Sequence, residues 1–233
     1  MIREFPGVTL HRGDCLEVMP TIEAGSVDAI VTDPPWMDYA TRWYDATEWH
    51  APIEYMHPQK YAGNLYAVLA DNSAAIIWCR WDCFEAHADA MRQASFKVKN
   101  CVVWDKGTHT AGDLDGNFGN QHEMAILAVK GRWTRHDRRE VNLWRVPHLF
   151  SRAKRSHPTE KPIALMSRAI EAVCPPGGTV LDPFVGSGTT ALAALNTGRK
   201  CIGIERDDGY FDIACRRVTE ALDKTALLNR TEV

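Results

Sequence analysis

The sequence predicts an α/β fold, a mostly parallel sheet covered by helices on both faces. Three observations carry this expectation. Short apolar or β-branched runs alternate with stretches of helical period, the pattern of strands joined by crossover helices. A glycine-rich turn, Gly186-Ser187-Gly188, lies between one such run and one such helix. Another strand run stops at a proline pair, Pro34-Pro35, which an interior ladder does not tolerate. A length of 233 residues suits a single domain over 1–233.

The elements follow in order. Residues 27–32 (VDAIVT) form a strand that ends at Asp33-Pro34-Pro35. Residues 36–61 are aromatic, polar and aperiodic, and read as a long functional loop. Residues 64–69 look like the end of a helix, 74–79 (AAIIWC) a buried strand, 81–94 a helix and 100–104 a strand. A loop rich in Gly, Asp, Asn and His spans 106–121, before a strand at 123–129. A helical period runs over 161–173, with Pro162 tolerated at its start. After the turn Pro175-Pro176-Gly177-Gly178 come a strand at 179–181, a helix at 191–197 closed by Gly198, a strand at 200–205 and a helix at 210–222. The tail from 223 is expected to fray.

Composition excludes several classes. Hydrophobic residues make up 45% and charged residues 24%, so the chain is neither disordered nor collagen-like. No apolar run approaches the ~20 residues of a membrane span. The N-terminal MIREFPGVTLHRGD has no basic segment followed by an apolar core. The expectation is a soluble cytoplasmic protein with no membrane partner. The seven cysteines are odd in number and contain no CxxC, which argues for reduced thiols in the core and no metal site.

Charge is informative locally. The formal net charge is only −3. Residues 130–155 nevertheless hold nine basic residues against two acidic ones, with Trp133, Trp144 and His148 interleaved. Guanidinium groups bind phosphates bidentately and stack on bases, so segment 130–156 reads as a polyanion-facing patch within the domain. Its candidate contacts are Arg132, Arg135, Arg138, Arg139, Arg152, Lys154 and Arg155. Phosphate contact is the expectation for them, since most protein–DNA hydrogen bonds go to the backbone. A solvated loop with scattered ion pairs is the alternative.

Residues 186–191 (GSGTTA) fit GxGxxA between a strand and a helix, and Glu205 ends the next strand, 19 residues after Gly186. Glycines let the backbone approach a ligand, and a carboxylate at that strand end can accept from both hydroxyls of a ribose. The loop lacks the lysine of a phosphate-binding GxxxxGK[ST] loop. By itself it does not separate a nicotinamide cofactor from S-adenosylmethionine, and a turn used only for helix–strand packing is the structural alternative.

Asp33-Pro34-Pro35-Trp36 separates them. The exocyclic amine of a base is a poor nucleophile, because its lone pair is delocalised into the ring. A site that methylates it must accept its N–H groups and let the nitrogen become tetrahedral. Asp33 and the Pro34 carbonyl can accept, Pro35 stiffens the turn, and Trp36 can stack on the base. A sulfonium is already a good leaving group, so no metal is needed. Within a duplex the amine is hidden, and the base would have to flip out.

These motifs together resemble the β-class of S-adenosylmethionine-dependent DNA amino-methyltransferases, over about residues 8–220. Gly13-Asp14-Cys15-Leu16 is similar to the family's GD-C element, 119–131 (GNQHEMAILAVKG) to the strand before its recognition region, and 157–162 (HPTEKP) to the element flanking the methionine end of the cofactor. Residues 182–190 (DPFVGSGTT) and Gly203-Ile204-Glu205 complete the set. The resemblance implies a Rossmann-like seven-stranded mixed sheet with one antiparallel strand and a permuted order, the catalytic motif preceding the glycine loop. It implies S-adenosylmethionine as cofactor, bound by Asp14, Cys15, Lys161, Asp182, Phe184, Gly186, Ser187, Gly188, Thr189, Thr190 and Glu205. It implies double-stranded DNA as partner and admits a homodimer.

The expected activity is N6-adenine methylation, since Asp33 stands where cytosine-N4 members more often carry Ser. Trp36 stands where adenine members usually carry Tyr, so cytosine-N4 methylation stays open, with RNA adenine methylation behind it. A cofactor-binding module without turnover and a nicotinamide dehydrogenase are the other classes. The first has no missing motif residue to support it, and the second leaves Asp33–Trp36 and the arginines unexplained. Phe184 is read as a cofactor contact or ordinary core. Lys161 is read as orienting the site or as a first-turn helix residue. His122 and His157 are read as structural, and Trp43, Tyr44 and Trp49 as base-holding or as loop anchors.

Overall fold

The computed structural model describes residues 1–35, 56–109, 116, 118–135, 140–148 and 160–231. A nine-stranded sheet runs through the molecule in the order β1-β2-β9-β8-β3-β4-β6-β5-β7. The strands are β1 (Ile2–Phe5), β2 (Val8–Arg12), β3 (Val27–Thr32), β4 (Leu69–Cys79), β5 (Lys97–Asp105), β6 (His122–Val129), β7 (Leu143–Arg145), β8 (Thr179–Asp182) and β9 (Lys200–Glu205). The helices are α1 (Cys15–Val18), α2 (Gln59–Val68), α3 (Phe84–Gln93), α4 (Ile163–Val173), α5 (Thr189–Asn196) and α6 (Asp208–Thr231), with a 3-10 turn at Met19–Thr21.

Nine strands replace the expected seven, and two run against the rest instead of one. β6 is the expected interior antiparallel strand, pairing with β4 and β5. β1 is the second, folded onto β2 by a turn in which Gly7 takes φ +79°. β1 and the three-residue β7 are edge strands on either side of a seven-stranded centre.

Alternation along the strands builds two cores. Ala74, Ile76 and Trp78 of β4 face one side, with Leu165, Ala169, Ala191 and Phe211 of α4, α5 and α6. Ala75 and Ile77 face the other, with Tyr61, Leu65, Ala88 and Met91 of α2 and α3. A period of two sends neighbours to opposite faces, and both faces are covered because the strands are apolar on both. Five of the seven cysteines, at 15, 79, 83, 174 and 201, are buried free thiols.

Three boundaries differ from expectation for local reasons. β4 begins at Leu69, since Val27 pairs with Leu69 and Ala29 next with Ala74, so residues 70–73, three of them polar, bulge out of the ladder. α5 starts at Thr189, directly after Gly188 at φ +89°. α6 runs 24 residues to Thr231 where fraying from 223 was expected. Nothing from Asp223 to Leu228 breaks a helix, since Lys, Ala and Leu are good helix formers.

The topology sets the site. β3 leads through α2 to β4 on one side, and β8 leads through α5 to β9 on the other. β3 and β8 are adjacent and parallel, so their carboxyl ends form the switch point where open α/β sheets leave a crevice. Ile77 is fully buried at the centre of this framework. Ile77→Ala should lower the unfolding free energy by ~2–5 kcal/mol, read as a lower urea midpoint at unchanged slope.

Candidate active site at the carboxyl edge of the sheet

Asp33 follows β3 and Asp182 ends β8, and the two strand ends are pinned together. Thr32 Oγ1 donates to Asp182 Oδ1 at 2.6 Å, across 150 residues of sequence. Phe184 N donates to the same oxygen at 3.0 Å, and Thr190 Oγ1 donates to Asp182 Oδ2. Burial pushes the Asp182 carboxyl up to about 6, with Asp33 adding to the rise and the two threonine hydroxyls opposing it. Asp182 therefore ties the glycine loop to β3 from beneath.

The loop itself is locked by its side chains. Ser187 Oγ accepts from Arg217 at 2.9 Å, and Thr189 Oγ1 donates to Glu160 at 3.4 Å. Arg217 pairs with Glu160 at 2.5 Å, closing the group. These hydroxyls are engaged within the protein. Gly186, at φ +53°, has open space where a Cβ would stand, and Gly188 lies 3.0 Å from Ala214 Cβ at the equivalent point. Half-buried Phe184 meets Tyr61 edge-on at 5.2 Å between centroids.

Glu205 closes the far side. Its carboxylate accepts from Gly186 N at 2.9 Å and Asp207 N at 2.8 Å. Burial raises its pKa, and those N–H donors oppose the rise. Gly13 N donates to the Glu205 carbonyl at 2.9 Å, which sets Asp14 and Cys15 beside this strand end. Asp14 Oδ1 caps α1 by accepting from Leu16 N at 2.8 Å, and Cys15 is buried with its Sγ 3.8 Å from Met56 Sδ.

Lys161, assigned to the cofactor by the resemblance, turns its ammonium onto Asp33 Oδ2 at 2.5 Å and Glu123 Oε2 at 2.9 Å. Glu123 in turn holds Lys106 at 2.7 Å. Burial alone would lower the Lys161 pKa, but the Asp33 and Glu123 carboxylates outweigh it and raise it. Burial would likewise raise Glu123, yet Lys161 and Lys106 bring it below its ordinary value. The placement of Lys161 has a physical reason: a buried ammonium needs carboxylate partners, and both lie here. Sequence reading missed Glu123, Lys106, Glu160 and Arg217 as site residues. Glu123 was legible only as a charge at the start of an otherwise apolar strand.

Asp33, Pro34 and Pro35 lie on the same edge as the glycine loop. Trp36, Trp43, Tyr44, Trp49, Arg138, Arg139, Arg152, Lys154, Arg155 and His157 lie outside the described residues, as does most of the 36–61 loop. Within the basic segment, Arg132 is exposed, Arg135 pairs with Glu140 at 3.4 Å, and Lys130 donates to the Tyr66 and Leu69 carbonyls. His122 is exposed at the start of β6.

A family model for DNA methylases, N6_N4_Mtase, matches residues 27–216. The chain belongs to this DNA methylase family. Among curated relatives, the putative methylase YubD of Escherichia coli (strain K12) is 33% identical over 210 residues, covering 89% of this chain and 88% of that one. The type II methyltransferase M2.MboI of Moraxella bovis is 26% identical over 239 residues, covering 91% and 87%. The solved M1.HpyAVI–SAM complex superposes with a TM-score of 0.71 at 26% identity, covering 91% of this methylase and 98% of that chain. The cytosine-N4-specific PvuII DNA methyltransferase superposes with a TM-score of 0.72 at 15% identity over 94% and 92%, a likeness of fold.

The methylase couples its pin to pH. Asp182 is protonated more readily in the folded chain, about 6 against its ordinary 3.8. The folded state then binds more protons between those values, so this group's contribution to stability falls as pH rises through that window and levels off above it. Thr32→Val removes a donor to the charged form. It should raise the Asp182 value further and steepen the loss, followed by carboxyl NMR titration and by denaturation at a series of pH values.

Proposed function

We propose that this methylase transfers the methyl group of S-adenosylmethionine to the N6 amine of an adenine flipped out of double-stranded DNA. The observation that carries the reading is the ion pair of Asp33 with Lys161 on the edge shared with the glycine loop. It holds the carboxylate against a buried ammonium, as a hydrogen-bond acceptor beside a cofactor crevice. Bound S-adenosylmethionine supplies an electrophilic methyl on a sulfonium. The open space over Gly186, the half-buried Phe184 ring and the Glu205 carboxylate fit an adenosine-bearing group. Cys15, Asp14 and Glu205 would hold its nucleoside end, with the loop backbone from Asp182 to Thr190 beneath the rest.

Asp33 accepts one N–H of the target amine and the Pro34 carbonyl the other. Both acceptors draw electron density toward nitrogen as its lone pair leaves the ring. Trp36 stacks on the base, which offsets part of a flipping cost of a few kcal/mol at ~1–3 kcal/mol per base. Arg132, Arg135 and the other arginines of 130–156 neutralise phosphates and hold the duplex. Cytosine-N4 methylation is the second reading, because Trp36 replaces the Tyr usual in adenine members.

Asp33→Ala should abolish methyl transfer and leave S-adenosylmethionine affinity nearly unchanged, measured by tritium transfer and by calorimetry. Equal loss of both would overturn the role given to Asp33. Digestion of the modified DNA to nucleosides should yield N6-methyladenine, and N4-methylcytosine would select the second reading. Arg132→Ala should weaken binding to all duplexes alike and reduce the slope of log K against log salt by about 1.

A further inference from the structure

We propose that Glu123 is a positioning residue for methyl transfer: clamped between Lys106 and Lys161, it fixes the ammonium that aims Asp33. The inference rests on the reading of Asp33 as acceptor for the target amine.

The sheet order explains why such a residue is needed. β4 lies between β3 and β6, so Asp33, just past β3, and Glu123, at the head of antiparallel β6, stand two strands apart at one edge of the sheet. Adjacent strands are ~4.8 Å apart, so the two backbones stand roughly 10 Å from each other. Lys161, just ahead of α4, reaches in from outside the sheet and spans that gap, with Asp33 at 2.5 Å and Glu123 at 2.9 Å. A lysine ammonium is a point charge on a flexible four-carbon stem. Held by Asp33 alone, it could swing with the carboxylate. Held also by Glu123 on a sheet strand, it has a fixed position, and Asp33 Oδ2 is fixed with it. Lys106, just beyond β5, occupies the other Glu123 oxygen at 2.7 Å and stops that carboxylate from rotating away. Lys106 is itself seated over the Trp104 ring, 5.4 Å from its centroid.

Energetics argue that this arrangement is about geometry. The side chains of Lys161, Glu123 and Lys106 are 5%, 10% and 6% exposed. Burying each ion costs several kcal/mol, and well-packed apolar residues often stabilise as much or more. Lys161, Glu123 and Lys106 together carry one positive charge, which balances Asp33, so the cluster leaves no uncompensated buried ion. What it supplies is a rigid acceptor, and misplacing a reacting group by ~1 Å can cost ~100-fold in rate.

The test uses the full chain with duplex DNA and four variants: Glu123→Gln, Lys106→Met, their double and Asp33→Ala. Glu123→Gln should lower kcat by ~100-fold while leaving the S-adenosylmethionine Kd and the KM for DNA within about twofold. Lys106→Met should lower kcat less, and the double variant should match Glu123→Gln, because Lys106 acts through Glu123. A Glu123→Gln enzyme with wild-type kcat overturns the proposal, as do multiplying losses in the double variant or a cofactor affinity that falls in step with kcat. Thermal melts check folding. If Glu123→Gln does not fold, Lys106→Met decides: lower kcat at unchanged Kd supports the proposal, and wild-type kcat overturns it. Asp33→Ala separates the two levels. If it keeps turnover, the reading of Asp33 falls and this inference with it. If it is inactive while the other variants turn over normally, only the inference falls.

Discussion

The hydrogen bond from Thr32 to Asp182 joins two halves of the chain that synthesis separates by most of a domain. One half carries Asp33-Pro34-Pro35, the other the glycine loop, and only the folded sheet brings them to one edge. A parallel sheet brings strand ends together in principle, but a ladder fixes only the backbones within it. Asp33, Pro34 and Pro35 lie beyond the last paired residues of β3, where the ladder no longer constrains them. Asp182 takes over at that point. It binds β3 through Thr32, its own loop through Phe184 N, and the first turn of α5 through Thr190. Three donors make the burial of a carboxyl tolerable, and a raised pKa is what remains of the burial cost.

The same division of labour recurs around the crevice. Ser187, Thr189 and Thr190 spend their hydroxyls on Arg217, Glu160 and Asp182, all within the protein. The loop is thereby rigid without using the side facing the crevice, where Gly186 leaves open space. On that side stand backbone groups, the half-buried Phe184 ring and Glu205. Glu205 is held by the N–H groups of Gly186 and Asp207, so its orientation is set by the loop and strand it joins. Preorganisation of this kind reduces the ordering that binding must otherwise meet.

Much of this was legible in the sequence, and the boundary of legibility has a physical cause. Local rules locate β3, β9 and the end of α4 at Val173, since β-branched runs and proline stops act over a few residues. The Pro6-Gly7 turn that folds β1 onto β2 is an equally local signal, though β1 is too short and polar to read as a strand by its pattern. β4 was shortened because Asp71, Asn72 and Ser73 interrupt the apolar run where the strand bulges. The motif order points to Asp33 and Gly186 at one edge of the sheet, and β3 and β8 do lie side by side. The partners of Asp33 were beyond reach, because Lys161 lies 128 residues away and Glu123 hides at the head of an apolar strand. No periodicity reports which of two lysines a buried carboxylate will meet.

Charge balance shows why the partners matter. Asp33 is half-buried, and its charge adds to the rise in the Asp182 pKa. Lys161 sets an opposite charge against Asp33, and Glu123 with Lys106 keeps Lys161 from being an uncompensated buried cation. The ions form a chain of alternating sign, from the crevice to the outer strands of the sheet. Its inner end is Asp33, and its outer end, Lys106 over the Trp104 ring, lies beside the strand that pairs with β7. Asp33 is thus tied across the sheet to its far strands.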